Sequence, residues 1–271
     1  MATRLIRVKT NQVRMMADRG FKIPEAEKKY LDTKTRDVDV EIKTIADEDF
    51  LTYYEAKAKT LTKKLKDESS KKTKTKKVVD FQEALSESYT HAITGQVTRV
   101  MYIIPQKRQK KITEAATAPI IATFTKMKAK GKWQHVILVS ELLFQPVAET
   151  KLSEVSTSKN RIIPMLYNFF LTNQSQNSLY CRHEALDIKE AKDFFLEDNI
   201  TEQQTPPMFW NDAVRIWFDF PVGTVLRIYR YYPQLSTVNK MEIYYRLVSS
   251  AKHDFNIQKA KSKPKPKLGV R

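Results

Sequence analysis

Apolar side chains recur at helical spacing near the start of the chain and alternate with polar ones soon after. Leu5, Val8 and Met15 fall on one face of a helix predicted over 3–19. Strict alternation in 37–45, DVDVEIKTI, predicts a half-buried strand. Spacing and composition also predict a helix from about Glu48 into the following lysines, a helix over 112–130 that Pro119 can interrupt, and a helix over part of 152–171 with Pro164 inside it. Strands are predicted over 97–105 and 133–144. These elements predict a mixed α/β unit.

The polar stretch 172–178, TNQSQNS, has no apolar periodicity and predicts a domain boundary. The predicted domains are therefore 1–171 and 172–250, followed by a basic disordered tail over 251–271. The elements predicted for the second domain are a short strand in 179–186, a helix with Asp187 and Glu190 as a capping box, a short helix from Asn211 or Asp212, a turn at 221–223, and strands over 225–232 and 241–247.

Positive charge is concentrated in three segments of the chain. The 271 residues include 48 basic and 31 acidic ones, for a net charge of +17. The segments 57–77, 104–132 and 251–271 carry net charges of +8, +7 and +6, so the rest of the chain is slightly acidic. Basic patches attract polyanions, and we expect nucleic acid as the partner. The low-complexity run within the first segment, 69–77, predicts a lysine-rich loop.

Composition excludes several classes of protein. No apolar run reaches the length of a membrane span, and the first residues lack the apolar stretch of a signal peptide, so we expect an intracellular protein without membrane contact. The single cysteine, Cys181, excludes an intrachain disulfide framework. The glycine-rich nucleotide loops are absent and the four histidines are scattered, so no cofactor and no metal are expected.

One short motif leaves an enzyme open. Asp39, Glu41 and Lys43 occupy alternate positions of the predicted strand 37–45, so their side chains share one face. Metal-dependent nucleases of the restriction type use an acidic residue and a lysine in this arrangement to hold Mg²⁺ and orient the attacking water. The same pattern is also typical of the wet face of an amphipathic strand, so a structure-selective nuclease stays an alternative.

A second charged motif favours contact with a nucleic-acid backbone. Lys107, Arg108, Lys110 and Lys111 follow a predicted strand and precede a predicted helix. Four cations on one short loop suit several phosphates, which would make the affinity dependent on salt. A free-standing nucleic-acid-binding protein that uses its basic tails is therefore a further alternative.

The second domain contains five short motifs in sequence: Arg182-His183 with Leu186, the segment 200–206, Asp212-Ala213-Val214, Gly223 to Arg230, and Tyr245 to Val248. In order and spacing these motifs resemble the assembly domain of the fifth subunit shared by eukaryotic nuclear RNA polymerases, which has a shorter counterpart in archaea. In the first domain, Arg4-Leu5, Asp18 to Phe21 and Ile112 to Ala116 resemble the eukaryotic two-domain form.

The resemblance implies a non-catalytic polymerase subunit with an N-terminal jaw domain, related in fold to restriction endonucleases, and a small C-terminal α+β assembly domain with a β-hairpin. The assembly domain would anchor on the largest polymerase subunit, and the jaw would lie beside downstream DNA. The loop from Lys107 to Thr113 would be the segment nearest that DNA, and Glu41 and Lys43 would be an echo of the nuclease fold. The matched positions predicted to serve subunit contacts are His183, Asp212, Val214, Gly223, Arg227, Arg230, Tyr245 and Arg246.

Several positions depart from the family pattern. Asp212-Ala213 lacks the usual proline, and 231–240 lacks the usual turn. Such divergence favours a version encoded by a large DNA virus, found in the virus factory or the virion, over a divergent cellular version in the nucleus. We expect other polymerase subunits and DNA as partners, and no homo-oligomer.

Overall fold

A computed structural model of the chain describes residues 2–31, 47–68, 81–104, 109–157, 160–177, 180–197, 199–209, 211–231 and 241–249. The chain divides into two compact units, Met1–Asn173 and Gln174–Arg271. Each unit contains a mixed sheet and several helices, which confirms the predicted α+β class. A relation of the first unit to restriction endonucleases stays a prediction.

The first unit carries helices and strands in an irregular order. Its helices are α1 (Ala2–Asp18), α2 (Asp47–Glu68), α3 (Phe81–Leu85), α4 (Glu114–Ala129) and α5 (Pro146–Val155), with 3₁₀ helices at Glu25–Tyr30 and Tyr167–Leu171. Its strands are β1 (Phe21–Lys22), β2 (Glu87–His91), β3 (Val97–Ile103), β4 (His135–Ser140) and β5 (Arg161–Leu166). The helices predicted over 3–19 and from Glu48, and the strand predicted over 97–105, are thereby confirmed.

The sheet of the first unit has the strand order β1-β2-β3-β4-β5. The pairs β1/β2 and β2/β3 are antiparallel, whereas β3/β4 and β4/β5 are parallel. All six residues of β4, HVILVS, are buried, as a strand covered on both faces requires. The strand predicted over 133–144 is therefore correct in its centre and shorter than expected.

The helix predicted within 152–171 is wrong. Helix α5 ends at Val155, and the following residues form β5 and a 3₁₀ helix. Pro164 is tolerated in β5 because this strand lies at the edge of the sheet, where a missing N–H need not break a ladder bond.

Helix α4 confirms the helix predicted over 112–130, and Pro119 does not interrupt it. Pro119 and Ala115, four residues earlier, both lie on the exposed side of the helix. Water can therefore satisfy the carbonyl group of Ala115 that would otherwise accept a bond from residue 119.

A cluster of polar side chains is buried beneath α1, and we call it the Lys9 cluster: Lys9, Gln12, Glu27, Tyr89 and Tyr102. The Lys9 Nζ lies 2.6 Å from Glu27 Oε1, and Tyr89 donates its hydroxyl proton to Glu27 Oε2. Lys9 Nζ also donates to Gln12 Oε1 at 3.2 Å, and the Tyr102 hydroxyl donates to the same oxygen at 3.1 Å. These contacts connect α1 with the 3₁₀ helix Glu25–Tyr30 and with strands β2 and β3.

The second unit contains a four-stranded sheet and two helices within its described residues. Its elements are β6 (Arg182–Ala185), α6 (Ile188–Glu197), β7 (Pro207–Met208), α7 (Ala213–Phe218), β8 (Val225–Tyr231) and β9 (Met241–Val248). The strand order is β6-β8-β9-β7, in which β8 pairs antiparallel with both neighbours and β7 pairs parallel with β9.

Both sheet faces of the second unit cover a small core. Leu226 and Ile228 pack with Met208 and Val248 on one face. On the other face, Val225 packs with Leu186 and Phe194, and Tyr245 lies against this group. The predicted hairpin of two alternating strands is thereby confirmed, with both sides of its β8 strand partly buried.

Capping residues define the two helices of this unit. The Asp187 Oδ1 accepts the Glu190 N–H at 2.8 Å, and Glu190 Oε2 accepts the Asp187 N–H at 3.1 Å, which is the predicted capping box. Asp212 caps α7 and decides between the two starts considered for that helix.

Three predicted features lie outside the described residues: the strand over 37–45, the lysine-rich loop over 69–77 and the tail over 251–271. Within the parts of the chain that are described, no helix is long and apolar enough to cross a bilayer.

Candidate nucleic-acid and subunit interfaces

The predicted DNA-contacting loop is described from its middle onward. Lys107 and Arg108 lie outside the described residues, whereas Lys110 and Lys111 are exposed. Thr113 is half-buried and occupies the N-cap position of α4. The loop therefore holds two exposed ammonium groups just before the N-terminus of a 16-residue helix, whose partial positive charge has the same sign.

Ile112 fixes this loop to the sheet side of the first unit. Its side chain is buried in the core, and its backbone pairs with the segment around Phe144. The Ile112 N–H donates to the Leu143 carbonyl at 2.9 Å, and the Gln145 N–H donates to the Ile112 carbonyl at the same distance. The neighbouring Lys111 is thus held on a short anchored segment, which suits contact with phosphates of a rigid polyanion.

The residues of the nuclease alternative, Asp39, Glu41 and Lys43, lie outside the described residues. In the part of the chain that is described, no group of three or more His, Cys, Asp or Glu side chains is arranged to hold a metal ion.

The eight residues predicted for subunit contacts fall on both faces of the second sheet and on its connections. Arg227 pairs across the sheet with Glu184 on one side and Tyr245 on the other. Residues directly opposite on neighbouring strands share a face, so these three side chains form one row. Arg230, His183 and Arg246 occupy the alternate positions of their strands and therefore project from the other face.

The face that carries Arg227 combines two arginines, one carboxylate and two tyrosine rings. We call it the Arg227 face, and it consists of Arg182, Glu184, Arg227, Tyr229 and Tyr245. The Arg227 guanidinium lies 3.6 Å from Glu184 Oε2 and 5.9 Å from the centre of the Tyr245 ring. The Tyr229 hydroxyl donates to Glu184 Oε2 at 2.5 Å, and this bond, helped by the two arginines, lowers the pKa of Glu184. The carboxylate is therefore charged near neutral pH and organises the row.

Helix α6 covers one end of the Arg227 face. Phe194 stacks on Tyr245 with ring centres 4.2 Å apart. The half-buried Arg227 therefore has its guanidinium engaged by residues of its own sheet, which favours a role in holding the strands together.

The opposite face carries His183, Arg230, Tyr244 and Arg246, and we call it the His183 face. The Arg230 guanidinium lies 4.7 Å from the centre of the Tyr244 ring. His183 Nδ1 lies 2.5 Å from the Cys181 carbonyl oxygen, so Nδ1 carries the proton because a carbonyl accepts and does not donate. No ion pair within the described residues involves Arg246.

Burial lowers the pKa of His183, and the nearby Arg246 and Arg230 lower it further. The bond to the Cys181 carbonyl and the charge of Asp212 act in the opposite direction without reversing the shift. His183 is accordingly neutral at neutral pH, and the charges of Arg230 and Arg246 are balanced by the nearby carboxylates of Asp212 and Glu242.

The remaining predicted contact residues have clear structural roles. The Asp212 Oδ1 accepts the N–H groups of Val214 at 2.8 Å and Arg215 at 3.3 Å. Gly223 has a φ of +87°, which favours glycine, and its N–H donates to the Val248 carbonyl at 2.8 Å. Val214 is half-buried in α7. These contacts explain the three positions through the unit's own fold.

Sequence reasoning missed Arg182, Glu184, Tyr229 and Tyr244. Each lies one or two positions from a residue that the prediction names, on the same strands. Strand alternation assigns each to a face, and extending it across β6, β8 and β9 would have found them. The register that joins them into rows depends on strand pairing, which the sequence does not display.

One comparison with known proteins gives a match. Residues 172–248 match the family described as RNA polymerase Rpb5, C-terminal domain. No curated protein sequence matches the chain. The match covers the whole sheet of the second unit, from before β6 to the end of β9, and confirms the resemblance on which the prediction rests. Residues 172–248 are therefore similar to the C-terminal domain of the Rpb5 subunit of RNA polymerase.

Proposed function

We propose that the chain is a non-catalytic subunit of a multisubunit DNA-directed RNA polymerase and acts in DNA-templated transcription. In this proposal, residues 172–250 anchor on the largest subunit and residues 1–171 form part of the lower jaw beside downstream DNA. The observation that carries the proposal is the match of 172–248 to the Rpb5 C-terminal domain. Phosphodiester formation belongs to the two large subunits, and this chain contributes position and charge.

The His183 face supports the anchoring role. It brings Arg230 and Arg246 together on a half-buried surface, in a unit whose other face is covered by α6 at one end. Carboxylates and aromatic rings of a larger subunit, placed beside the two guanidinium groups, would complement it. The place of action depends on the origin of the chain: a viral version would act in virus factories or virions, and a cellular version in the nucleus.

Affinity purification of the tagged full chain from its native cells or virus particles tests the anchoring role. We expect stoichiometric recovery of two very large polymerase subunits, identified by mass spectrometry. Recovery of the tagged chain without those subunits would refute the proposed function.

The exposed lysines of the first unit support contact with the DNA backbone. Lys110 and Lys111 precede α4 on an anchored segment, and the sequence adds Lys107 and Arg108 just before them. Each phosphate of double-stranded DNA that a variant no longer neutralises lowers the slope of log affinity against log salt by roughly 0.9.

Charge reversal tests whether DNA contacts this loop in particular or responds only to the total positive charge of the chain. The double variant Lys110→Glu/Lys111→Glu should weaken retention of downstream duplex by the assembled polymerase and reduce the salt slope by roughly 1–2. The matched control Lys130→Glu/Lys132→Glu reverses two exposed lysines at the other end of α4. Equal effects of both variants would remove the loop from the DNA interface.

A further inference from the structure

Strand β9 has an edge that the described strands cover over part of its length. On one side, β8 pairs with every residue from Met241 to Leu247. On the other side, β7 pairs with Leu247 and Val248. Within the described residues, no strand pairs with 241–246 on that second side. This stretch, which we call the open edge, presents backbone groups that no described strand pairs.

The hydrogen bonds at the end of β9 show which residues direct their backbone groups to the open edge. The Leu247 N–H donates to the Pro206 carbonyl at 3.0 Å, toward β7. The next N–H, of Val248, donates to the Thr224 carbonyl at 2.9 Å, toward β8. Backbone groups alternate between the two sides along a strand. Met241, Ile243 and Tyr245 therefore turn their N–H and C=O groups to the open edge, whereas Glu242, Tyr244 and Arg246 pair with β8.

The side chains of the open edge are unusual for an edge that faces water. Met241, Ile243 and Tyr244 have exposed fractions of 56%, 49% and 37%. The stretch MEIYYR contains neither lysine nor proline, the residues that commonly protect such edges. An edge with exposed Met241 and Ile243 and with only Glu242 and Arg246 as charged residues is suited to receive an added strand, which pairs through its main chain and fits its alternate side chains to the two faces.

The two faces of β9 define the chemistry of that strand. Met241 and Ile243 offer apolar surface on one side of the sheet, and the half-buried Arg246 offers positive charge on the other, where Glu242 lies opposite Arg230. We propose that the open edge of β9 receives an extended strand from another polymerase subunit, with apolar side chains beside Met241 and Ile243 and an acidic side chain beside Arg246. This proposal rests on the proposed function, since it takes its partner from the polymerase.

A proline at the open edge tests the backbone contact. The variant Ile243→Pro removes an N–H that points away from β8, so the sheet of the free chain should persist. Recovery of the largest polymerase subunits by the tagged full chain should fall at least about tenfold. The control Ile243→Ala keeps the N–H and should lower recovery less than about threefold, because it shortens one half-exposed side chain. Circular dichroism of both variants checks that the fold is retained.

Hydrogen exchange of the unmodified chain provides a test that needs no variant. In the free full chain, the amides of Ile243 and Tyr245 should exchange rapidly, while those of Tyr244 and Arg246 are slowed by β8. In the purified polymerase, the amides of Ile243 and Tyr245 should become slow as well.

The outcomes separate the two proposals. If the polymerase is recovered but exchange at Ile243 and Tyr245 is unchanged, or if Ile243→Pro recovers it as well as the wild type does, the open edge is not the docking site and the proposed function stands. Slow exchange at these amides in the free chain, with a second copy or the chain's own tail on the edge, also overturns the inference. If the wild type recovers no polymerase subunit, the proposed function fails and this partner with it.

Discussion

Two pairs of opposite charge, one in each unit, show how differently the chain uses ionic contacts. In the first unit, Lys9 and Glu27 lie 2.6 Å apart with side-chain exposures of 0% and 4%. In the second unit, Arg227 and Glu184 lie 3.6 Å apart with exposures of 27% and 38%. A buried pair must be complete because either charge left alone is strongly unfavourable, whereas a half-exposed pair can exchange partners. The first pair therefore belongs to the buried core of its unit, and the second lies at the surface of its sheet, where water screens it.

The surroundings of Lys9 explain why its charge is confined to a structural role. Its Nζ also donates to the Leu85 carbonyl at 3.1 Å, and the ring of Tyr102 lies beneath it with a centre 5.5 Å away. Burial lowers the pKa of Lys9, while Glu27 opposes the shift. No face of this ammonium group is open to a ligand. The Lys9 cluster therefore determines how α1 packs in the first unit and does not serve as a ligand-binding site.

The largest effect that we predict comes from breaking the buried pair. Lys9→Met leaves the Glu27 carboxylate buried without its cation and should lower the free energy of unfolding by about 3–5 kcal/mol, measured by urea denaturation of the full chain. The control Lys28→Met breaks the Lys28–Glu25 pair, which has the same 2.6 Å separation but exposures of 54% and 85%. That change should remain below about 0.5 kcal/mol.

A double variant shows whether the charge itself is responsible. Lys9→Met/Glu27→Leu removes both charges, so it should be more stable than Lys9→Met. If both variants were equally unstable, the destabilisation would come from packing around Lys9, and the contrast between the two units would have no electrostatic basis.

The Lys9 cluster also marks the limit of what the sequence could predict. The helix over 3–19 follows from Leu5, Val8 and Met15, all of which are buried. The burial of Lys9 depends on Glu27 and on Tyr89, which reach it through folding of distant segments. A lysine in a helical pattern is ordinarily assigned to the solvent face, and no local signal contradicts that assignment.

In the second unit, more of the structure could be predicted because its signals are local. Asp187 with Glu190 marks a helix start, and alternation in 241–247 marks a strand. Pro164 shows the opposite case in the first unit: the local pattern places it in a helix, because its edge position in β5 depends on strands far away in sequence. The predicted contact residues follow from the resemblance to the polymerase subunit family. Their assignment to one face or the other depends on the strand register, which the sequence does not display.

The next effect concerns Asp212, where a structural role and a contact role can be separated. Asp212→Ala removes the acceptor of two N–H groups at the start of α7 and should lower the free energy of unfolding by about 1 kcal/mol. Asp212→Asn keeps a capping oxygen and should remain close to the wild type in urea denaturation. If Asp212→Asn nevertheless weakened recovery of polymerase subunits, the charge of Asp212 would belong to the interface.

A comparison of Arg227 with Arg230 sharpens the distinction between the two faces. Arg227→Ala removes a guanidinium that touches Glu184 and Tyr245 and should lower the free energy of unfolding by about 0.5–1 kcal/mol, with little effect on polymerase recovery. Arg230→Ala, on the His183 face, should reduce recovery more than it reduces stability. If recovery fell equally for both, the partner would contact both faces, and if neither variant changed it, the arginines would not be contact residues.

The smallest effect is a dependence of stability on pH that comes from His183. Its folded-state pKa is lowered from 6.5, chiefly by burial and further by Arg246 and Arg230. Between the lowered value and 6.5 the unfolded chain binds more protons than the folded one, so stability falls as the pH drops through this window. One proton limits the slope to about 1.4 kcal/mol per pH unit. His183→Gln should remove this share, so urea denaturation of the two proteins should differ in slope between pH 7 and pH 5 and agree in slope at pH 8. Identical slopes throughout would mean that folding does not lower the pKa of His183, and the His183 face would then be an open surface instead of a half-buried one.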